Sequence, residues 1–464
     1  MTGSAQLRIA RLAAAPALHR AFHWLHLHQP QLRRWQLEIL RIPAPPFGEQ
    51  ARAAWFLERF QQLGLANPHL DAAGNALAEL PSAILELGAP GQTSPGLGMS
   101  DMEMPDLGMP RPPVILISAH LDTVFPSTTS IEPTELDTRI VAPGACDNAA
   151  GLSALLGIAA ALRHANLAPA VPILFAANVG EEGEGDLRGM RHLFTRSPYA
   201  PRIAAAIALE GGGSSAVVTR ALASRRFRVT VTGPGGHSWT DAGAPNPILI
   251  LARALIALES LDILPLNPDL IAPDAIARGS SDLGPGVYAK SRTTLNVGHI
   301  SGGTSVNSIP ESASALLDLR STDPAQLGAV ELNLRSALKD AVDKSGQAAT
   351  VRHRPTDSPV QLEIEIIGDR PGGSLPEDSP LLATLRAVDR HLNLHTEPGL
   401  GSTDANIPLA RGVPAIAIGA GGLGGGIHTL QEWYDPTGRN AALRRILLTL
   451  LDTAQLAAIS SAPS

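Results

Sequence analysis

One cysteine, Cys146, stands in 464 residues. No intrachain disulfide framework can hold this fold, and a single thiol suits a reducing compartment. Nowhere do about 18 apolar residues run unbroken, which excludes an ordinary transmembrane helix. The amino-terminal segment carries Arg8, Arg11 and Arg20 but no uninterrupted apolar run of signal-peptide length. Basic charge is scarce too: 36 Lys and Arg against 43 Asp and Glu give a formal net charge of −7. With no basic stripe, neither nucleic acid nor an anionic membrane surface is expected as a partner. Only 17% of the residues are charged while 44% are hydrophobic, which excludes a disordered or fibrous chain. A soluble cytoplasmic protein is the expectation.

What is present suggests two lobes, since single cores stop growing beyond roughly 250–300 residues. From about residue 5 to 64 apolar residues recur at helical spacing, among them Leu32, Trp35 and Ile39, then Phe56, Phe60 and Leu63. The break at Pro43, Pro45 and Pro46 predicts two helices there. A short strand is expected from Asn75 to Leu80. Buried strands are expected at Val114–Ser118, Val171–Ala177 and Ile203–Leu209, with an Ala/Leu helix over Asn148–Leu162. Strands interleaved with helices imply a mixed, mainly parallel sheet covered by helices. From Phe227 to Ile367 the order becomes β-α-β-β-α-β, that of a ferredoxin-like α+β domain. After Pro371-Gly-Gly373 the α/β pattern resumes, with a helix near Leu381–Leu392, a strand at Pro414–Ile418 and a closing helix from Asn440. The expected organisation is a catalytic domain over 1–222 and 371–464, interrupted by an inserted lid or dimerisation domain over 223–370. Two insertions, 88–113 and about 264–290, fit no element. The first holds Met99, Met102, Met104 and Met109, four of the six methionines. Clustered thioethers can bind copper(I), but a flexible surface insertion is the expectation.

Acids and histidines sit where the buried strands end, which is where open α/β sheets place ligands. Ser118-Ala-His120-Leu-Asp122 places an aspartate on the same side of an extended backbone as the histidine. A metal-bound histidine usually gives its other ring N–H to such a carboxylate, although a His-x-Asp by itself is common. Asp147, in Gly144-Ala-Cys-Asp147-Asn148, opens a helix; a carboxylate there can bridge two cations or simply cap the helix. Glu181 and Glu182 are adjacent after a strand, a costly arrangement unless a cation compensates it. One can bind metal while the other takes a proton from water. Glu210 precedes three glycines, again after a strand. His428 follows the run Gly421-Gly-Leu-Gly-Gly-Gly-Ile427, which lacks the Gly-Lys-Ser/Thr ending of a phosphate loop. Close backbone approach to a crowded site explains those glycines better. Cys146, beside Asp147, is of a type that binds zinc, but the ligand set is complete without it. His19, His23, His26 and His28 are expected to be solvated, and His299 structural.

Taken together, these motifs resemble the co-catalytic zinc exopeptidases and deacylases that include glutamate carboxypeptidase, aminoacylase, carnosine dipeptidase, peptidase T and succinyl-diaminopimelate desuccinylase. The likeness extends through Gly233-Pro-Gly-Gly236-His237-Ser238, Asn307-Ser-Ile-Pro-Glu311, Asp318-Leu-Arg320 and Gly401-Ser-Thr-Asp404. It implies two divalent ions per chain, zinc first, with cobalt or manganese as alternatives. His120 and Glu210 would hold one ion, Glu182 and His428 the other, and Asp147 would bridge. Asp122 would orient His120, and Glu181 would be the general base. His237 would reach the neighbouring subunit's site, which implies a homodimer. Asn307 and Arg320 would hold the substrate. Small peptides are the expected substrates. N-acyl-amino-acid deacylation is the alternative, and a non-catalytic metal-binding scaffold a further one. Asn148-Ala-Ala-Gly151 departs from the Lys-Gly-Gly-like residues of many relatives, and with the two insertions it leaves the substrate open.

Overall fold

The structure, a computed structural model, describes residues 2–82, 111–261, 292–350 and 360–461. The methionine cluster Met99, Met102, Met104 and Met109 and the segment 264–290 lie outside the described residues. By backbone contacts the chain divides into two units. One comprises 1–220, 374–399 and 403–464, and the other 221–373 and 400–402.

In the first unit the central sheet runs in the order Ala66–Leu70, Ala76–Leu80, Ile173–Asn178, Val114–His120, Ile203–Leu209, Ala415–Ile418 and Ala216–Ala221. The four strands from Ile173–Asn178 to Ala415–Ile418 are parallel neighbours. The strands outside them pair antiparallel. Val114–His120 is buried along its whole length, as expected of a strand covered on both faces. The helix Ala149–His164 is buried at every position from Ala149 to Leu162. An all-round apolar helix must lie between layers, and Pro16–Leu27 and Gln29–Leu40 pack against it. On Val114–His120 and Ile203–Leu209 lies the closing helix Arg439–Ser461.

Two readings of the sequence need correction. Four helices, not two, fill the amino-terminal region: Thr2–Ala13, Pro16–Leu27, Gln29–Leu40 and Gln50–Gln62. Pro16 and Pro30 sit in first turns, where a missing N–H costs nothing, so each starts a helix inside one apolar pattern. A small sheet, Leu423–Gly425, Trp433–Asp435, Arg139–Val141 and Thr134–Leu136, has no counterpart in the sequence reading. Its strands are three residues long and partly exposed, too short to show an alternation.

The second unit holds an antiparallel sheet in the order Thr293–Gly302, Ser312–Ser321, Ala223–Thr232, Gln361–Arg370. Numbered along the chain, this is the 2-3-1-4 order of a ferredoxin-like sheet. Helices Pro247–Ala257 and Pro324–Thr350 join its core, where Phe227, Val229 and Leu317 meet Leu251, Leu334 and Leu338. His299 is exposed on the outer strand. Among the described residues no helix is long and apolar enough to cross a membrane.

Candidate metal centre

Parallel strands end on the same edge of a sheet, and that edge collects the acids and histidines. His120 is the last residue of Val114–His120 and pairs in register with Asn178, which ends the next strand. Gly180, at φ 67°, turns the chain there and leads into Glu181 and Glu182. Glu210 directly follows Ile203–Leu209. Asp147 lies just before the helix Ala149–His164. His428 arrives from the glycine-rich run, its own φ at 64°, a strained value of the kind found at functional sites. A Cβ on Gly424 would fall 2.3 Å from Cys146 Sγ, so this run passes where only glycine fits.

The geometry has a repeated form. His120 Nε2 stands 3.0 Å from Asp147 Oδ1 and 3.3 Å from Glu210 Oε1. His428 Nε2 stands 3.1 Å from Asp147 Oδ2 and 3.0 Å from Glu182 Oε1. Each imidazole nitrogen therefore confronts two carboxylates, and Asp147 offers one oxygen to each histidine. A single proton serves two acceptors poorly; a cation serves both. Ligand atoms of His120, Asp147 and Glu182 all lie within 4.8 Å of one another. Glu210 Oε2 is buried with no hydrogen-bond partner, an atom whose desolvation is left uncompensated. The donor set, two imidazoles and three carboxylates, fits divalent cations of the zinc type.

The electrostatics point the same way. Burial opposes charge on His120, but Glu210, Asp122 and Asp147 outweigh it and raise its pKa well above 6.5. Hydrogen bonds to Asp147 and Glu182 raise His428 to about 10. Burial pushes the Glu210 carboxyl up to about 7 against the pull of His120. Burial would raise Asp147 as well, yet bonds from His120 and His428 hold it well below the usual carboxylate range. The cluster thus recruits positive charge wherever it can.

Asp122 does more than face the histidine. It is fully buried; its Oδ1 lies 3.6 Å from His120 Nδ1 and accepts the Glu181 N–H at 3.0 Å, while Oδ2 accepts the Glu182 N–H at 2.7 Å. One carboxylate thereby fixes two of the neighbouring segments. Burial drives the Cys146 thiol up to about 12, and its sulfur accepts the Gly212 N–H at 3.1 Å, so it behaves as a packing group. His19, His23 and His26 are exposed, and His28 stacks on Trp24.

Several supporting residues escaped the sequence reading. Asn148 accepts the Gly151 and Gly211 N–H groups and donates to Leu209 O, tying the Asp147 loop to the Glu210 strand. Asn178 donates to the buried Asp404 at 2.8 Å. The fully buried Arg52 donates to Leu121 O at 2.6 Å, between His120 and Asp122. Glu432 accepts backbone N–H groups of the Asp147 loop. Apart from the Asn148 cap on Gly151, these bonds reach chain remote in sequence and so leave no local pattern.

His237, Asn307 and Arg320 belong to the second unit. Gly236–His237 pairs antiparallel with Ser308–Ile309, and the Ser238 N–H donates to Asn307 O at 2.9 Å. His237 is exposed beside Trp239, itself 84% exposed. Arg320 Nε donates to Asp318 Oδ2 at 2.6 Å.

The sequence model of peptidase family M20/M25/M40 matches residues 116–453. A probable carboxypeptidase of Ajellomyces dermatitidis is 31% identical over 280 residues, a stretch covering 56% of this chain and 58% of that protein. The chain thus spans less than two thirds of the length of the curated relatives it matches. Among solved structures, human carnosine dipeptidase 1 gives a TM-score of 0.62 at 16% identity, covering 94% of this chain and 100% of that one. Aminopeptidase PepT of Bacillus cereus gives 0.61 at 18% identity, covering 92% and 99%. At these identities the likeness is one of fold.

Proposed function

The chain belongs to peptidase family M20/M25/M40, and from that premise we propose that it is a metal-dependent hydrolase of amide bonds in small peptides, acting as an exopeptidase or dipeptidase. The observation that carries this reading is Asp147, whose two oxygens face His120 at 3.0 Å and His428 at 3.1 Å. A carboxylate so placed suits a bridge between two divalent ions, with zinc first on the donor set. His120 and Glu210 would hold one, Glu182 and His428 the other. Bound there, such ions supply Lewis acidity, polarising the scissile carbonyl and acidifying water.

The remaining work falls to the protein's own groups. Glu181 takes a proton from water and returns it to the departing amine. Its backbone is pinned by Asp122 at 3.0 Å, which also restrains His120. His237 of a second copy donates to the developing oxyanion. The reading includes a homodimer with closed two-fold pairing. Asn307 and Arg320 hold the substrate, Arg320 through a carboxylate. The probable carboxypeptidases among the relatives support a free-acid peptide as substrate.

A substrate panel tests the reading: free dipeptides, amino-blocked dipeptides and N-acetyl amino acids. Hydrolysis of either dipeptide class in a chelator-sensitive manner is expected. Activity confined to N-acetyl amino acids would make the protein a deacylase, and no hydrolysis with metal bound would leave a binding scaffold.

A further inference from the structure

We propose that Glu432 is a positioning residue of the metal centre, a buried anchor that holds the Asp147 loop in register with the loop bearing His428. The inference rests on the reading that Asp147 and His428 hold metal. Glu432 is 0% exposed. Its Oε1 accepts the N–H groups of Cys146 at 2.8 Å and Asp147 at 2.7 Å, and Oε2 accepts that of Gly144 at 3.0 Å. The remaining N–H of that turn, from Ala145, goes to Ala142 O at 3.1 Å. One carboxylate thus takes three donors of the turn that presents Asp147.

The main chain of Glu432 grips the same segment. Its carbonyl accepts the Ala142 N–H at 2.9 Å, and its own N–H donates to Thr429 O at 3.2 Å. Immediately afterwards Trp433 and Tyr434 pair with Val141 and Ile140. Glu432 lies four residues beyond His428, so the chain leaving one histidine ligand is fastened to the chain entering the bridging carboxylate. Among the described residues it has no ion-pair partner. A buried carboxylate without a counter-cation is costly, and three bonds from backbone N–H offset part of that cost. An uncharged loop contact would need no such group. The consequence falls on Asp147, whose oxygens must meet two histidines at once. Metal ligation tolerates departures of only about 0.2 Å, so a loosened turn weakens both sites together. Outer partners of metal ligands commonly govern affinity by about 10–100-fold.

The test is zinc affinity, measured against a competing chelating dye on the full-length protein. Glu432→Ala is compared with Glu432→Gln, Asp147→Ala and Asp452→Asn. Asp452 is also buried, but its partners are Arg8 and Thr384, away from the ligand loops. Denaturation of each chelated variant is recorded in parallel. We expect Glu432→Ala to weaken zinc binding by about 10–100-fold. Glu432→Gln should weaken it less, because its amide oxygen still accepts some, though not all, of the three N–H groups. Asp452→Asn should lower stability with zinc affinity unchanged. If Asp147→Ala loses zinc while both Glu432 variants bind it as the wild type does, the anchor role is overturned. If Asp147→Ala also binds normally, the reading of the metal site fails instead. Should Glu432→Ala not fold, Glu432→Gln decides alone: unchanged affinity refutes the proposal.

Discussion

Replacing Asp122 by asparagine separates what holds the fold from what holds the site. The native carboxylate accepts N–H groups from Glu181 at 3.0 Å and Glu182 at 2.7 Å, with His120 Nδ1 at 3.6 Å. An amide keeps one oxygen, so one buried N–H must face an NH2 group. Leaving that donor unmade costs about 1–3 kcal/mol, and the bond that survives loses its charge, about 1 kcal/mol more. Arg52, fully buried and already lowered to about 10 by burial, also loses a compensating charge. The sum, roughly 2–4 kcal/mol, is a substantial fraction of a typical folding free energy of about 5–15 kcal/mol. At the site the cost is separate: His120 keeps the Asp122 carbonyl 3.1 Å from Nδ1 but loses the neighbouring negative charge at 3.6 Å, and the Glu181–Glu182 segment is freed. Metal affinity should drop by about 10–100-fold. Denaturant titration of the chelated protein reads the first effect, and zinc competition with a chelating dye reads the second. A protein that is destabilised but binds zinc within about twofold of wild type would show that Asp122 serves the fold alone, and the reasoning would be wrong.

Two further outcomes are expected. In the metal-free protein His120 and His428 are raised above 6.5, His428 to about 10. Groups raised on folding stabilise fully below the unfolded value and lose that contribution as pH climbs through the folded one. Glu210 and Glu432, raised from 4.5 to about 7, act in the same sense at lower pH. The denaturation midpoint of chelated protein should therefore fall from about pH 6 to about pH 9; a rise would contradict the charge assignment. For subunit sharing, His237→Ala and Glu181→Gln homodimers should each be nearly inactive. Mixed dimers, about half the population at random assortment, would carry one intact site, so activity should return to roughly a quarter of wild type. Mixed dimers that form and stay inactive would place His237 within its own chain or outside the reaction.

Much of the fold was legible in the chain because its central strands are buried on both faces. Val114–His120 and Ile203–Leu209 are apolar runs ended by a histidine and by Glu210, and a run with a polar stop needs no partner to be seen. The alternation from Phe227 to Thr232 was equally plain. What failed to show was short or depended on partners. Pro16 and Pro30 start helices within a continuous periodic pattern, and three-residue strands such as Arg139–Val141 carry no period. At the site, residues next to strand ends could be named, whereas the supports behind them could not. Glu432 reads as one more acid after an exposed loop until the fold brings it 2.7 Å from the Asp147 nitrogen. Asn148 reads as a helix cap, and it is one; its grip on Leu209 and Gly211 becomes visible only in three dimensions.

The central claim is that paired divalent ions, held around Asp147, are required for peptide hydrolysis. It is tested most directly by stripping the protein with a chelator and restoring zinc in measured steps while dipeptide hydrolysis is followed. Activity should vanish on stripping and return to saturation at about two equivalents per chain, as a two-metal site requires. Hydrolysis that survives complete removal of metal, or that saturates at about one equivalent, would contradict the account.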